Sequence, residues 1–344
     1  MRGVLFGLLL IPVLLASDTA DWVASQGGTY TADPRTGEVA VNLAYTWVTD
    51  PDMARIAAIP KLTKLDLSVT TIGERGLAQL KDVRGVRELS LYYTEFVADT
   101  AMAQLREWKD LERLNLRGTD ITDTSLAYVG GLTKLKSLDI SFTQITNNGL
   151  EHIANLTELE EFIVGGNKVS GAGLNMLRVL PKLRKLGASG SQKRNSGMWA
   201  ASITDFDLDM IASLENLEEL DLAGTKITDL GVAKLRSLRK LRRLDLGSTP
   251  VTARGLAALA ALPQLERVDL WKAGRVDDEA VAALALLPAV RVIDLAETKV
   301  SDAGLAQLAA APRLERLYLR GSGVSETAVA SLRERKPGCE VIHQ

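Results

Sequence analysis

Apolar residues recur along most of the chain in two alternating patterns. The segments that begin at Leu111, Leu217 and Leu241 follow L-x-x-L-x-L-x-x-T-x-I-T-D-x-G-L-x-x-L-x-x-L. In the L-x-L portion every second residue is apolar, which predicts a short strand with one buried face. After T-D the apolar spacing changes to three and four, which is typical of a helix that buries one stripe. Each segment is therefore predicted to be a strand followed by a helix.

The same unit repeats along roughly nine-tenths of the chain, and most successive copies start 24 residues apart, as from 111 to 135. A degenerate first copy runs through Val41, Leu43, Thr46 and Val48. Parallel strands stack about 4.8 Å apart whereas helices need about 10 Å, so such a stack must curve with its strands inside. We predict an α/β solenoid, a curved right-handed horseshoe of about 12 repeats with parallel strands on the concave face and helices on the convex face. Further copies start at Leu62, Val86, Leu135, Leu159, Leu183, Leu265, Val290 and Leu314.

The ninth position of the repeat carries a small polar residue in nearly every copy. Such side chains bond to nearby backbone groups, which must find partners where the chain leaves a strand. We therefore predict a buried structural ladder and no nucleophile in this column. Its members are Thr46, Thr70, Thr94, Thr119, Thr143, Asn167, Ser191, Thr225, Thr249, Thr298 and Ser322. Thr122 and Thr228, each followed by an aspartate, are predicted helix N-caps.

With this unit the sequence resembles the leucine-rich repeats of exported, planctomycete-type bacterial proteins. The segments Gly27–Asp33 and Val39–Leu43 resemble the opening cap of that group, and Lys336–Ile342 resembles its closing strand. The repeats are also similar to the cysteine-containing repeats of F-box substrate receptors. However, Thr or Ser replaces the repeat cysteine here, and residues 18–60 leave no room for an F-box. The resemblance implies protein or surface binding and carries over no site residues.

The first residues have the layout of a secretory signal peptide. Arg2 precedes an apolar run from Gly3 to Leu15, and small residues follow at Ala16 and Ser17. We expect cleavage after one of these two residues, the alternative being an uncleaved membrane anchor. The predicted organisation is a signal peptide at 1–17, an N-terminal cap at 18–37, repeats at 38–336 with a loop insertion at about 192–202, and a C-terminal cap at 337–344. The protein is then exported, either periplasmic or extracellular.

Composition excludes several classes of function. The net charge is −2, so no basic excess indicates nucleic acid, and a membrane would be reached only through an uncleaved signal segment. One cysteine, Cys339, allows no intrachain disulfide, and His152 and His343 are far apart in sequence. No phosphate-binding loop or metal-ligand spacing is present. We expect neither an enzyme nor a cofactor or metal.

The outward positions of the predicted strands carry charge. The fifth column contains aspartates such as Asp221, Asp245, Asp269 and Asp294, and the third column contains cations such as Arg243. A calcium site would need six or more converging oxygens, which a column flanked by arginine does not provide. We interpret the two columns as weak surface ion pairs between neighbouring strands.

The scarce aromatic residues, 5% of the chain, are not scattered evenly. We define the aromatic edge as Tyr45, Trp47, Tyr92, Tyr93 and Phe142, which lie in or beside the eighth column of the N-terminal repeats. Because Gly, Ser, Lys and Glu fill this column elsewhere, it looks loosely constrained, and Gly118 and Gly166 would leave room on either side of Phe142. Exposed rings of this kind are typical of binding hot spots. The alternative is that these rings cover turns or pack on each other. Other candidate contact residues are Trp199 in the insertion and Trp271, Tyr318 and Arg320 in the C-terminal repeats.

The function that these patterns favour is a non-catalytic scaffold that binds a protein partner through its concave face at the cell envelope, as a monomer. A receptor for cell-wall glycan is the alternative, because aromatic platforms also suit sugars. An F-box-like substrate adaptor would need a cytosolic chain, which the predicted signal peptide disfavours.

Overall fold

The computed structural model describes residues 10–194 and 197–343, and these form two compact units that meet in sequence at Leu159 and Glu160. The predicted signal peptide, residues 1–17, lies outside the described residues as far as residue 9. In both units short strands alternate with short helices, so the predicted α/β repeat is confirmed.

Unit 1 contains one sheet whose strands follow the order β1 to β6. β1 pairs with β2 in antiparallel fashion, and the later strands pair in parallel. The strands are β1 Thr29–Ala32, β2 Val39–Asn42, β3 Leu62–Asp66, β4 Glu88–Ser90, β5 Arg113–Asn115 and β6 Ser137–Asp139. The helices are α1 Leu10–Ser25, α2 Met53–Ala57, α3 Glu74–Gln79, α4 Asp99–Gln104, α5 Asp123–Val129 and α6 Asn147–Leu150.

Unit 2 repeats the plan with strands that all pair in parallel, interrupted by one separate hairpin. The strands of its sheet are β7 Glu161–Ile163, β8 Lys185–Gly187, β11 Glu219–Asp221, β12 Arg243–Asp245, β13 Arg267–Asp269, β14 Val292–Asp294, β15 Arg316–Tyr318 and β16 Glu340–Ile342. The hairpin strands are β9 Ser191–Arg194 and β10 Gly197–Ala200. The helices are α7 Gly171–Leu174, α8 Leu208–Ala212, α9 Asp229–Lys234, α10 Ala253–Ala258, α11 Asp278–Ala285, α12 Asp302–Gln307 and α13 Glu326–Arg335.

The predicted insertion is therefore not a loop but a β-hairpin, whose register pairs Trp199 with Gln192. Among the described residues, no helix has the length and apolar character needed to cross a membrane. Cys339 is buried, and burial raises the pKa of its thiol.

The ninth column forms the buried ladder that the sequence predicts. The hydroxyl of Thr119 donates to the carbonyl oxygen of Leu116 at 2.6 Å, and Asn167 donates to that of Val164 at 3.1 Å. Each side chain thus satisfies the carbonyl three residues earlier, where the strand ends. Two members differ: Ser191 is exposed and begins the hairpin strand β9, and the Thr94 hydroxyl donates to the carbonyl oxygen of Leu67 in the preceding repeat at 3.0 Å. The same bond is made by Thr46, Thr70, Thr143, Thr225, Thr249, Thr298 and Ser322.

A second ladder explains the T-D-x-G motif and joins consecutive helices. Thr252, the N-cap of α10, donates its amide and hydroxyl hydrogens to Asp229 of the preceding repeat, at 2.8 and 2.6 Å. The glycine of the motif leaves room for that aspartate, since a Cβ on Gly255 would lie 2.5 Å from Asp229 Oδ1. Corresponding bonds join Thr122 to Asp99, Thr146 to Asp123, Thr228 to Asp205, Ser301 to Asp278 and Ser325 to Asp302.

Where the preceding repeat supplies no aspartate, the helix carries its own. Thr204 follows a repeat with Gly171 at the aspartate position, and it bonds instead to Asp207, which stands at the glycine position of its own motif. Asp207 fills the space beside Gly171. Thr49 follows the β1–β2 hairpin rather than a repeat helix, and it pairs in the same way with Asp52. These helix starts are therefore satisfied by a carboxylate in one of two arrangements, whereas α11 begins after Asp277, whose own side chain accepts from the amides of Glu279 and Ala280.

Candidate functional site

The eighth column adopts a left-handed backbone in every repeat, so the expectation of loose constraint is wrong. Tyr45 has φ 61°, Val69 54°, Tyr93 48° and Phe142 57°. In unit 2 the same position is taken by Gly166, Gly190, Gly224, Ser248, Lys272, Glu297 and Gly321, all with positive φ.

The hydrogen bonds between repeats account for this conformation. Eighth-column amides donate to seventh-column carbonyls of the next repeat, as from Tyr45 to Ser68 at 2.9 Å and from Val69 to Tyr92 at 2.7 Å. A residue with a Cβ is strained there by about 1–2 kcal/mol, and a β-branched one is a true outlier. Glycine is the residue that folding alone favours at this position. The tyrosines, Val69 and Phe142 therefore stand in unit 1 at a cost in stability.

Much of the aromatic edge is exposed to solvent. Tyr45 is 73% exposed, Trp47 90% and Tyr93 37%. Two further residues extend the edge: Val69, which is 38% exposed, and Phe96, which is 66% exposed. Phe96 is the extra residue in a copy of 25 rather than 24 residues, from Val86 to Leu111, and that spacing was the signal that could have identified it. The edge is thus a run of exposed apolar side chains on consecutive repeats.

The remaining members of the edge hold one another in place. The rings of Tyr92 and Tyr93 meet edge to face with centroids 4.7 Å apart. The Tyr93 ring lies over Gly118, where a Cβ would come within 2.7 Å of it. The expectation of an open space at Gly118 is therefore wrong, because Tyr93 fills it. The alternative reading, that rings pack on each other, holds for Tyr92 and Tyr93 but not for Tyr45 or Trp47.

Arg117 belongs to the repeat between that of Tyr92 and Tyr93 and that of Phe142. Its guanidinium carbon stands 4.5 Å from the centre of the half-buried Phe142 ring. Its Nε atom is buried and donates to no acceptor. Within the part of the chain that the structure describes, no carboxylate forms an ion pair with it.

The C-terminal candidates are engaged in contacts of their own. Trp271 is 43% exposed, and its indole nitrogen donates to Glu297 at 3.1 Å while Lys272 lies 4.3 Å from the ring centre. Tyr318 is half-buried with Arg267 5.9 Å from its ring centre, and Arg320 is exposed. Trp199 is half-buried on β10. In unit 2 the exposed apolar side chains include Met198, Phe206, Leu230 and Leu286, none of which the repeat pattern indicated.

The fifth column is not a row of surface ion pairs, which corrects our interpretation. Cations of the third column pair mainly with glutamates of that column, as Arg243 does with Glu219 at 3.1 Å. Fifth-column oxygens instead accept the amide hydrogen two residues later: Asn115 from Arg117 at 3.0 Å and Asp245 from Gly247 at 2.8 Å. The column therefore turns the chain at the end of each strand.

In unit 2 this column is a carboxylate row, which we define as Asp221, Asp245, Asp269 and Asp294. Burial raises the pKa of Asp221 and of Asp294. Burial, together with neighbouring Asp221 and Asp269, raises the pKa of Asp245 to about 7. Asp269 forms an ion pair with Arg267, with an Nε–oxygen distance of 2.7 Å.

A groove of about 260 Å³ lies along the carboxylate row and extends to Gly187, which takes the place of an aspartate in its repeat. The wall of the groove includes Ile163, Lys185 and Arg243. Over residues 10–194 and 197–343, no group of three or more His, Cys, Asp or Glu side chains is arranged to hold a metal ion.

Comparison with protein families gives a match to a leucine-rich repeat region over residues 102–331. A search of curated proteins gave no match.

Solved structures resemble this chain at low sequence identity. An internalin from Listeria monocytogenes is 17% identical with a TM-score of 0.58, over 95% of this chain and 94% of that one. A chain of the yeast Rad7–Elc1 complex is 15% identical with a TM-score of 0.61, over 97% and 88%. The ectodomain of the Arabidopsis thaliana receptor kinase GASSHO1/SCHENGEN3, solved with Casparian strip integrity factor 2, is 16% identical with a TM-score of 0.52, over 91% of this chain and 39% of that one. At such identities these likenesses show the leucine-rich-repeat fold alone.

Proposed function

Because the chain belongs to the leucine-rich-repeat family, we propose that it is a non-catalytic scaffold that binds a protein partner along the strand side of its repeats. The observation that carries the proposal is the aromatic edge with Val69 and Phe96. Tyr45, Val69 and Tyr93 occupy left-handed positions and are at least 37% exposed, so they weaken the fold without completing its core. Strain that folding does not require is a common mark of a functional surface.

The size of the edge suits a protein partner. Consecutive strands are about 4.8 Å apart, so Tyr45, Val69 and Tyr93 form one stripe across three repeats. Aromatic side chains at the centre of an interface often contribute 2 kcal/mol or more, roughly a thirtyfold change in affinity. Two of the similar structures are complexes, one of Rad7 with Elc1 and one of the receptor ectodomain with its integrity factor.

Export to the cell envelope is part of this proposal and rests on the sequence. Arg2, the apolar run from Gly3 to Leu15 and the small residues Ala16 and Ser17 support it. Cleavage after Ser17 would leave the end of α1, including the buried Val23. N-terminal sequencing of secreted protein should give Ser17 or Asp18 as the first residue, and an intact Met1 in a soluble cytosolic fraction would contradict export.

The experiment compares three forms of the protein as bait in envelope extract of the source cells. The wild type is matched with a Tyr93→Ala, Phe142→Ala variant and with a Trp271→Ala, Tyr318→Ala variant, and captured proteins are quantified by mass spectrometry. We expect the first variant to lose the wild-type partners and the second to keep them. If the first keeps them and the second loses them, the binding surface lies in unit 2.

A glycan receptor remains the second candidate, because Tyr45 and Trp47 present exposed rings that could stack on sugars. A glycan array probed with the same three forms discriminates between the two. Binding to a glycan that Tyr45→Ala and Trp47→Ala abolish, with no captured protein, would favour the sugar.

A further inference from the structure

Several arginines of the strand side have a carboxylate partner, whereas Arg117 has none among the described residues. Arg87 pairs with Glu38, Arg243 with Glu219, and Arg316 with Glu340, the last at 2.6 Å. Within the described residues Arg117 has no ion pair, although it is half-buried.

The contacts around Arg117 orient its guanidinium so that it can bind an anion. The Phe142 ring supports one flat side at 4.5 Å, and the main-chain amide of Arg117 is held by Asn115. The Nε hydrogen is buried without an acceptor, so an incoming carboxylate would be bound by the terminal Nη groups. A planar guanidinium stacked on a ring offers two parallel N–H donors, which match the two oxygens of a carboxylate.

The surroundings select what carries that carboxylate. Tyr93 fills the space beside Gly118, and Tyr92 stands against Tyr93. The cation is thus bordered by apolar rings. A free small anion would leave the rings in water, whereas an acidic side chain next to an apolar one would cover both.

We propose that Arg117 is the anchor for an aspartate or glutamate of the protein partner, and that an apolar residue beside it packs on Tyr93. This inference rests on the proposed function, since it assigns the chemistry of the partner that binds the aromatic edge.

The test uses a phage-displayed library of short random peptides as the probe. Peptides are selected on the wild-type protein after depletion on the Tyr93→Ala, Phe142→Ala variant, so the retained peptides require the edge. We expect enrichment of Asp or Glu beside Leu, Phe or Trp. An enriched peptide should bind Arg117→Gln about tenfold or more weakly. Arg117→Lys should also bind weakly, because an ammonium cannot supply the flat pair of donors.

Two controls separate anchoring from a general effect on the fold. Arg243→Gln removes an arginine that already has a partner in Glu219, and it should leave peptide affinity unchanged. Replacing the acidic residue of the peptide by its amide should weaken binding to the wild type but not further weaken binding to Arg117→Gln.

Edge-dependent peptides without an acidic residue, or acidic peptides that bind Arg117→Gln as tightly as the wild type, would overturn the inference and leave the proposed function standing. The absence of any edge-dependent peptide would contradict both.

Discussion

The two units share a left-handed backbone at the eighth column of the repeat, but they place different side chains there. At the left-handed eighth column unit 1 carries Tyr45, Val69, Tyr93 and Phe142 with one glycine, Gly118, whereas unit 2 carries four glycines with Ser248, Lys272 and Glu297. Glycine satisfies the same hydrogen bond between repeats without strain, as from Gly224 to the carbonyl of Gly247 at 2.8 Å. The glycines of unit 2 therefore show what folding needs at this column. Folding does not require the rings that unit 1 carries there.

The fifth column reverses the contrast. In unit 1 Asn42, Ser90 and Asn115 separate the two aspartates of this column, Asp66 and Asp139, whereas unit 2 places four aspartates on consecutive strands of its sheet. Asn115 and Asp245 accept the same kind of amide hydrogen, at 3.0 and 2.8 Å. An amide oxygen is thus sufficient for the turn, and the mutual repulsion of neighbouring carboxylates in unit 2 is a cost to folding that the separated aspartates of unit 1 avoid.

The largest effect is expected at the helix starts, where both units pack a glycine against an aspartate of the preceding turn or repeat. Gly76→Ala in unit 1 and Gly255→Ala in unit 2 each place a Cβ 2.5 Å from the aspartate that caps the helix. Each should lower the free energy of unfolding by about 3 kcal/mol, through overpacking and loss of the cap. Urea denaturation measures it. Gly274→Ala, which has open space, is the control and should change little. Unequal losses at the two glycines would mean that the comparison between units involves more than the strand side.

The carboxylate row should make the stability of unit 2 depend on pH. The pKa of Asp245 is raised from 3.8 to about 7, so the folded state retains a proton that the unfolded state releases. Its contribution to stability is therefore present below about pH 4 and is lost as pH rises towards 7. Asp245→Asn keeps an acceptor for Gly247 and should stabilise the protein at pH 8.5 by on the order of 2 kcal/mol, with little effect at pH 4.

Thermal or urea unfolding at the two pH values measures this difference. Asp269→Asn is the matched control and should destabilise the protein at pH 8.5, because it removes the partner of Arg267. If Asp245→Asn lost stability at the higher pH, the carboxylate row would be a stabilising feature and the contrast with unit 1 would fail.

The eighth column itself gives a smaller effect with opposite signs in the two units. Tyr45→Gly relieves a left-handed backbone and removes a ring that is 73% exposed, so it should raise the free energy of unfolding by about 0.5–1 kcal/mol. Gly224→Ala imposes the same backbone strain with no atom within 4 Å of the new Cβ, and it should lower stability by about 1 kcal/mol. A loss of stability in Tyr45→Gly, measured by the same denaturation, would show that the ring contributes to folding.

How far the sequence could predict these features depends on whether they repeat. The strand pattern around Leu114 and Leu116, the Thr119 ladder and the Thr122 cap follow from local spacing and were predicted. The bond from Asp229 to Thr252 joins residues of neighbouring repeats, and only the shared geometry of the stack reveals it.

The candidate site was predictable in part. Aromatic residues in one column of the repeat marked Tyr45 and Tyr93 without structural information. The backbone strain at these residues could not be predicted. A column with variable residues looks unconstrained until its φ angles are known. The burial of Asp245 was missed for a related reason: an outward position on a strand was taken as solvated, whereas flanking strands shield it.

The central claim is that exposed residues at strained positions of unit 1 serve binding and not folding. A Tyr45→Gly, Val69→Gly, Tyr93→Gly variant tests it most directly, because glycine suits the backbone at all three positions and removes all three side chains. In the envelope capture, with unfolding measured on the same preparation, the account predicts at least a tenfold loss of captured partner and a free energy of unfolding that is equal to the wild-type value or higher. Undiminished capture by a less stable protein would contradict it.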